Sequence, residues 1–134
     1  MYIYDFYSIA FNNEKLMIKS LSDFFGIKLE SHESSFWGNY FLAKFIDRGE
    51  VKLIKNFHEE NNEWHYPDYK EFAWILQVSE ANNMNCIFNN LLSYYSEEVS
   101  FLYRTEVEPL KSFKKYSFEN DNFVMISKKD FISK

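Results

Sequence analysis

The chain has 134 residues, 46% of them apolar and 26% charged, with a net charge of −5. That is enough apolar material for one domain to bury about two-thirds of its unfolded surface, and it argues against disorder. A single cysteine, Cys86, excludes an internal disulfide and a multi-cysteine zinc site, and no apolar run approaches the ~18 residues of a membrane span.

The first fifteen residues, MYIYDFYSIAFNNEK, are interrupted by Asp5 and Asn12 and have no basic segment ahead of an apolar one. They do not form an export signal, so a cytoplasmic protein is expected. Residues 2–11 read either as a strand or as the start of a helix. Asn13 followed by Glu14 marks a helix start, Met17, Leu21, Phe24 and Phe25 share one face, and Gly26 sits at the C′ position. A helix is predicted at about 13–25.

Residues 27–33 alternate, Ile27 and Leu29 against Lys28 and Glu30, as a half-buried strand would. Residues 39–46 and 51–57 flank Asp47-Arg48-Gly49-Glu50 and predict a hairpin, in which Val51, Leu53 and Phe57 share a face broken by Lys55. The most apolar run, FAWILQV at 72–78, predicts a central strand with Phe72 and Trp74 in the core. Met84, Ile87, Phe88, Leu91, Leu92 and Tyr95 then fall at helical spacing. Asn85, Asn89, Asn90 and Ser93 face out, and Asn82 or Asn83 can cap. Residues 99–107 predict a strand closed by Pro109, and 114–119 with 122–127 a hairpin around Asn120-Asp121. The order implies an α+β fold over 1–134, an antiparallel β-sheet meander with helices packed on one face.

Charge is unevenly placed. Residues 58–71 carry Glu59, Glu60, Glu63, Asp68 and Glu71 against Lys70, and residues 97–108 carry Glu97, Glu98, Glu106 and Glu108 against Arg104. The stretch 111–134 is basic instead. Two acidic patches argue against a nucleic-acid partner and favour a basic protein surface. No membrane partner is expected.

Candidates for chemistry are few. His58 and His65 lie seven apart with acids between, but no second His follows four residues on, so the H-E-x-x-H zinc pattern fails. They are expected as solvated loop histidines, with no metal and no cofactor. Cys86, beside the apolar stripe of the second helix, reads as a small hydrophobe rather than a nucleophile. Glu97 and Glu98 are adjacent and fit a solvated helix-to-strand turn better than a carboxylate pair. Glycines at 26, 38 and 49 are too scattered for a phosphate loop. No catalytic residue is expected, and an enzyme is disfavoured. Trp64, Tyr66 and Tyr69 either fold back to cap the sheet or stay open as anchors beside the acids. Glu59, Glu60, Glu63, Trp64, Tyr66 and Asp68 are the candidate partner-binding residues, with Glu97 and Glu98 a secondary acidic site.

The run KLIKNFHEENNEWHYPDYKEFAWILQV resembles a pattern in small bacterial immunity proteins, which neutralise the toxins of polymorphic or contact-dependent growth inhibition systems. The matching positions are Asn56-Phe57, Glu63-Trp64, 68–72 and Ile75-Leu76, about a quarter of the chain. The resemblance implies a small, acidic, cytoplasmic, non-catalytic protein. Its partner would be the C-terminal domain of a cognate toxin, often a basic nuclease, whose active site it blocks. The alternatives are a small hydrolase or nuclease using His58, His65 and nearby carboxylates, or a structural or adaptor subunit of an oligomer.

Overall fold

The computed structural model describes residues 1–46, 48–79 and 83–131. The chain opens with strand β1 (Tyr2–Ile9), so the stretch 2–11 resolves as strand rather than helix over residues 2–9. Helix α1 (Glu14–Phe25) follows. The Asn13 side chain accepts from the Leu16 N–H at its start, and Gly26, at φ 70°, turns the chain out at its end.

Strands β2 (Glu30–Ser34), β3 (Gly38–Lys44) and β4 (Glu50–Lys55) form a meander. The strand expected from residue 27 begins only at Glu30. Ile27 and Leu29 belong instead to the return from α1, with Leu29 buried against the helix and the side chains of β2 open. After β4 the chain leaves the sheet through two short strands, β5 (Phe57–His58) and β6 (Glu63–Trp64), and a 3-10 turn at Pro67–Tyr69. It returns as β7 (Trp74–Ser79). Phe72 therefore lies ahead of the strand in which it was expected, and Phe57 lies beyond the end of β4.

Helix α2 (Met84–Tyr94) buries Met84, Ile87, Phe88 and Leu91. Asn83 sits at its N-cap position without a side-chain capping bond, and the other capping candidate, Asn82, lies outside the described residues. Cys86, expected as a small hydrophobe beside the apolar stripe, is exposed on this helix and takes a hydrogen bond from the Asn90 amide at 3.4 Å. Strands β8 (Val99–Glu108), β9 (Ser112–Glu119) and β10 (Asn122–Asp130) complete the chain. Asn120 and Asp121, at φ 50° and 64°, make the tight turn between the last two.

Among the described residues eight long strands join one antiparallel sheet in the order β10-β9-β8-β1-β7-β4-β3-β2. Two three-strand meanders thus flank the central pair β1–β7. Both helices lie on one face and meet through Ser20 and Tyr95, whose hydroxyls are 2.6 Å apart. Between helices and sheet, Met17, Leu21, Ile87 and Leu91 pack with Tyr7, Leu53, Leu76 and Val78. An ion pair is set into the sheet beside them. Arg104 Nε and Nη2 donate to the Asp5 carboxylate at 2.6 and 2.9 Å, and the guanidinium lies 4.0 Å from the Phe123 ring centroid. Among the described residues no helix is long and apolar enough to cross a membrane.

Strand alternation puts Phe6, Ile54 and Ile75 on the opposite face. They are buried too, because the segment between β4 and β7 folds back over them.

Candidate functional site

That segment, residues 56–73, is organised by one side chain. Asn56 is fully buried at the end of β4. Its Nδ2 donates to the carbonyls of Tyr69 and Phe72 at 2.9 and 3.1 Å and lies 3.4 Å from that of Tyr66. Its Oδ1 accepts from the Tyr66 N–H at 2.8 Å. The Asn56 backbone adds a bond to Ala73 O and takes one from the His65 N–H, each 2.8 Å. Irregular backbone buried away from water needs a partner for each polar group, and here an asparagine amide supplies several at once.

So pinned, the excursion sets its aromatic rings on the sheet. Tyr66 lies 5.8 Å from Phe6, Tyr69 lies 5.8 Å from Tyr103, and Phe6 and Tyr103 stack at 4.5 Å. Burial pushes the Tyr66 hydroxyl up to about 12. Trp64 is half-buried against Phe57, with ring centroids 5.0 Å apart. The open choice resolves toward capping the sheet for Tyr66 and Tyr69, while Trp64 packs within the excursion's own ladder; all three are half-buried.

The two histidines correct the expectation of solvated loop residues. His58 is only 5% exposed, and His65 is half-buried, stacked on it at 5.2 Å with 22° between the rings. The Asn61 amide donates to His58 Nδ1 at 2.9 Å, while Nε2 of both rings is buried without a hydrogen-bond partner. Burial lowers the His65 pKa; its bond to the Trp37 backbone works against that, and the neighbouring His58 adds to it. The ring planes are near-parallel, so their in-plane lone pairs do not converge on one point as a shared metal ion would require. Among the described residues no group of three His, Cys, Asp or Glu side chains is arranged to hold a metal.

Beside the histidines runs a groove of about 450 Å³ between the β2–β3 hairpin and the β5–β6 turn. One wall carries Glu33 and Trp37, the other Phe57, Glu59 and Glu60. Gly38 makes the close approach of the walls possible. Its φ is +72°, and a β-carbon there would stand 3.0 Å from His58 Cδ2. At the hairpin tip the Trp37 N–H is held by Ser34 Oγ at 2.8 Å, and Phe36 stands 64% exposed, edge-on to Trp37 at 4.6 Å. Lys55 lies 3.8 Å from Glu59, but both are exposed, so this pair contributes little and leaves the groove acidic.

The predicted binding residues are therefore divided. Glu59 and Glu60 line the groove, Glu63 and Asp68 are exposed on the same excursion, and Trp64 and Tyr66 are turned inward to brace it. Glu97 and Glu98 lie in the turn before β8, at the same end of the sheet but five strands from β2, roughly 24 Å away at ~4.8 Å per strand. They do not belong to the groove. Glu33, Phe36 and Trp37 were missed. Their signal was a Phe-Trp-Gly run where a turn must fall, with an acid just before it. The chain matches no protein-family model and no curated protein.

Proposed function

We propose that this chain is a non-catalytic immunity protein of a bacterial toxin system, acting in the cytoplasm by covering the active site of a cognate toxin domain with a basic surface. The observation that carries this is the groove. Carboxylates stand on both its walls, and an exposed phenyl ring stands at its lip. Charge of one sign speeds encounter with a basic partner, and a desolvated aromatic supplies binding energy once docked. A stable complex would bury about 800 Å² on each side, more than the groove alone, so Glu63 and Asp68 fall within its natural extent. The agreement of Asn56-Phe57 and Glu63-Trp64 with the immunity pattern adds support. Asn56 shapes the excursion, and Phe57 and Trp64 pair across its small ladder.

The test is co-expression with the C-terminal domain encoded immediately upstream of the gene. That domain should arrest growth alone, and this chain should restore growth through a co-purifying complex. Glu59→Lys with Glu60→Lys should slow association and flatten its dependence on salt. A harmless upstream domain, or rescue without a complex, would remove the proposal.

A further inference from the structure

His58 and His65 stand where the two walls of the groove meet. His58, on β5, is wedged against Gly38 of β3, where a β-carbon would come within 3.1 Å of Nε2. His65, just beyond β6, lies 5.0 Å from Trp37 and 5.5 Å from Phe36, so it carries the hairpin tip. The Asn61 amide donates to His58 Nδ1, His65 is bonded to the Trp37 backbone, and among the described residues neither Nε2 atom, both buried, has a partner. A polar group in that state forgoes a hydrogen bond that water would supply, and a charged one forgoes more. Among the described residues no hydrogen-bond partner faces His65 Nε2.

We propose that His65, stacked on His58, forms an acid-sensitive latch, holding the β2–β3 tip on the excursion while it is neutral and releasing it on protonation, which reshapes the groove. The charged groups around the pair do not cancel this. Glu63 of β6 favours the charged form of His65, yet burial outweighs it. Glu33 of β2, Glu59 and Glu60 of the turn and Lys55 of β4 line the groove, and Lys52 of β4 lies 5.2 Å from the Trp37 ring. Tyr66 stays neutral throughout, its pKa being raised to about 12. The sign follows from the geometry and from the direction at His65. Its folded pKa lies below 6.5, so the open form takes up the proton first. Closure is complete above the ordinary histidine value and is lost as pH falls through it toward the lowered one.

The test uses the free protein and so does not depend on what the groove binds. Hydrogen exchange and the His65 ring signals would be followed by NMR from about pH 7.5 to about pH 5. After correction for intrinsic exchange, the Trp37, Gly38 and His65 amides should lose about ten-fold more protection than Leu76 and Val78 of β7. The His65 ring should titrate below the ordinary histidine value. His65→Phe, which keeps the stack and removes the proton, should hold the tip closed at low pH; if it does not fold, His65→Gln serves. Protection at the tip that ignores pH, or falls only in step with β7, would overturn the latch. So would a variant with the wild-type profile.

Discussion

On one face of the sheet two amphipathic helices lay Leu21, Ile87, Phe88 and Leu91 onto Tyr7, Leu53, Leu76 and Val78. On the other, one irregular excursion lays Tyr66 and Tyr69 onto Phe6 and Tyr103. The helical face is closed by many interchangeable apolar contacts, each tolerant of small change. The excursion is closed by few contacts that depend on one another, because its backbone cannot satisfy its own polar groups. A helix layer therefore degrades gradually, whereas the excursion should fail at a single residue.

Asn56→Ala is the sharpest way to break that contrast. It removes the partners of the Tyr66 N–H and of the Tyr69 and Phe72 carbonyls at a fully buried position. With about 1–3 kcal/mol for each buried group left unpaired, a loss of about 4 kcal/mol is expected in urea unfolding. The excursion should lose exchange protection ahead of the rest of the sheet. A loss below about 1 kcal/mol would mean that water or a rearranged turn replaces the amide without difficulty.

Leu91→Ala is the matched perturbation of the other face. Leu91 is fully buried between α2 and the sheet, and truncating such a leucine removes about 2–5 kcal/mol, here about 3. Its effect should be global, with a lower unfolding midpoint and no region exchanging early. If Leu91→Ala instead loosened only α2, the helical face would not be the continuous layer that its contacts describe.

The same contrast explains what could be read in the sequence. Met17 and Leu21, and the series from Met84 to Leu91, repeat at helical spacing because each helix buries one stripe, so local periodicity announces the contact. The caps at Asn13 and Gly26 and the turn at Asn120-Asp121 follow from local backbone chemistry. Nothing local announces that Tyr66 rests on Phe6, sixty positions earlier, or that His58 meets Gly38 across two strands. The charge of the excursion was legible and led to Glu59 and Glu60. The facing wall was not, since Glu33, Phe36 and Trp37 join the site only once β2–β3 pairs with β4. Their sequence neighbourhood carries no acidic run to draw notice. The histidines were misplaced for a related reason. A polar, acidic context reads as solvent-exposed, yet the pinned backbone drives both rings beneath the hairpin tip.

Phe36 marks the smallest expected effect on folding and the point where fold and proposed function separate. Its ring touches Trp37 and His65 but is largely open, so Phe36→Ser should reduce stability by no more than about 1 kcal/mol, the scale of one exposed aromatic pair. Asn56→Ala would abolish binding merely by dismantling the excursion, which makes it a poor probe of recognition. Phe36→Ser leaves the excursion and both carboxylate walls in place. If the exposed ring is an anchor for a partner, its loss should weaken the complex by about 2 kcal/mol, roughly thirty-fold, mainly through faster dissociation. Affinity unchanged by Phe36→Ser but lost on reversing Glu59 and Glu60 would move the anchor out of the hairpin tip. Recognition would then lie along the exposed acids of the excursion, from the β5–β6 turn to Asp68.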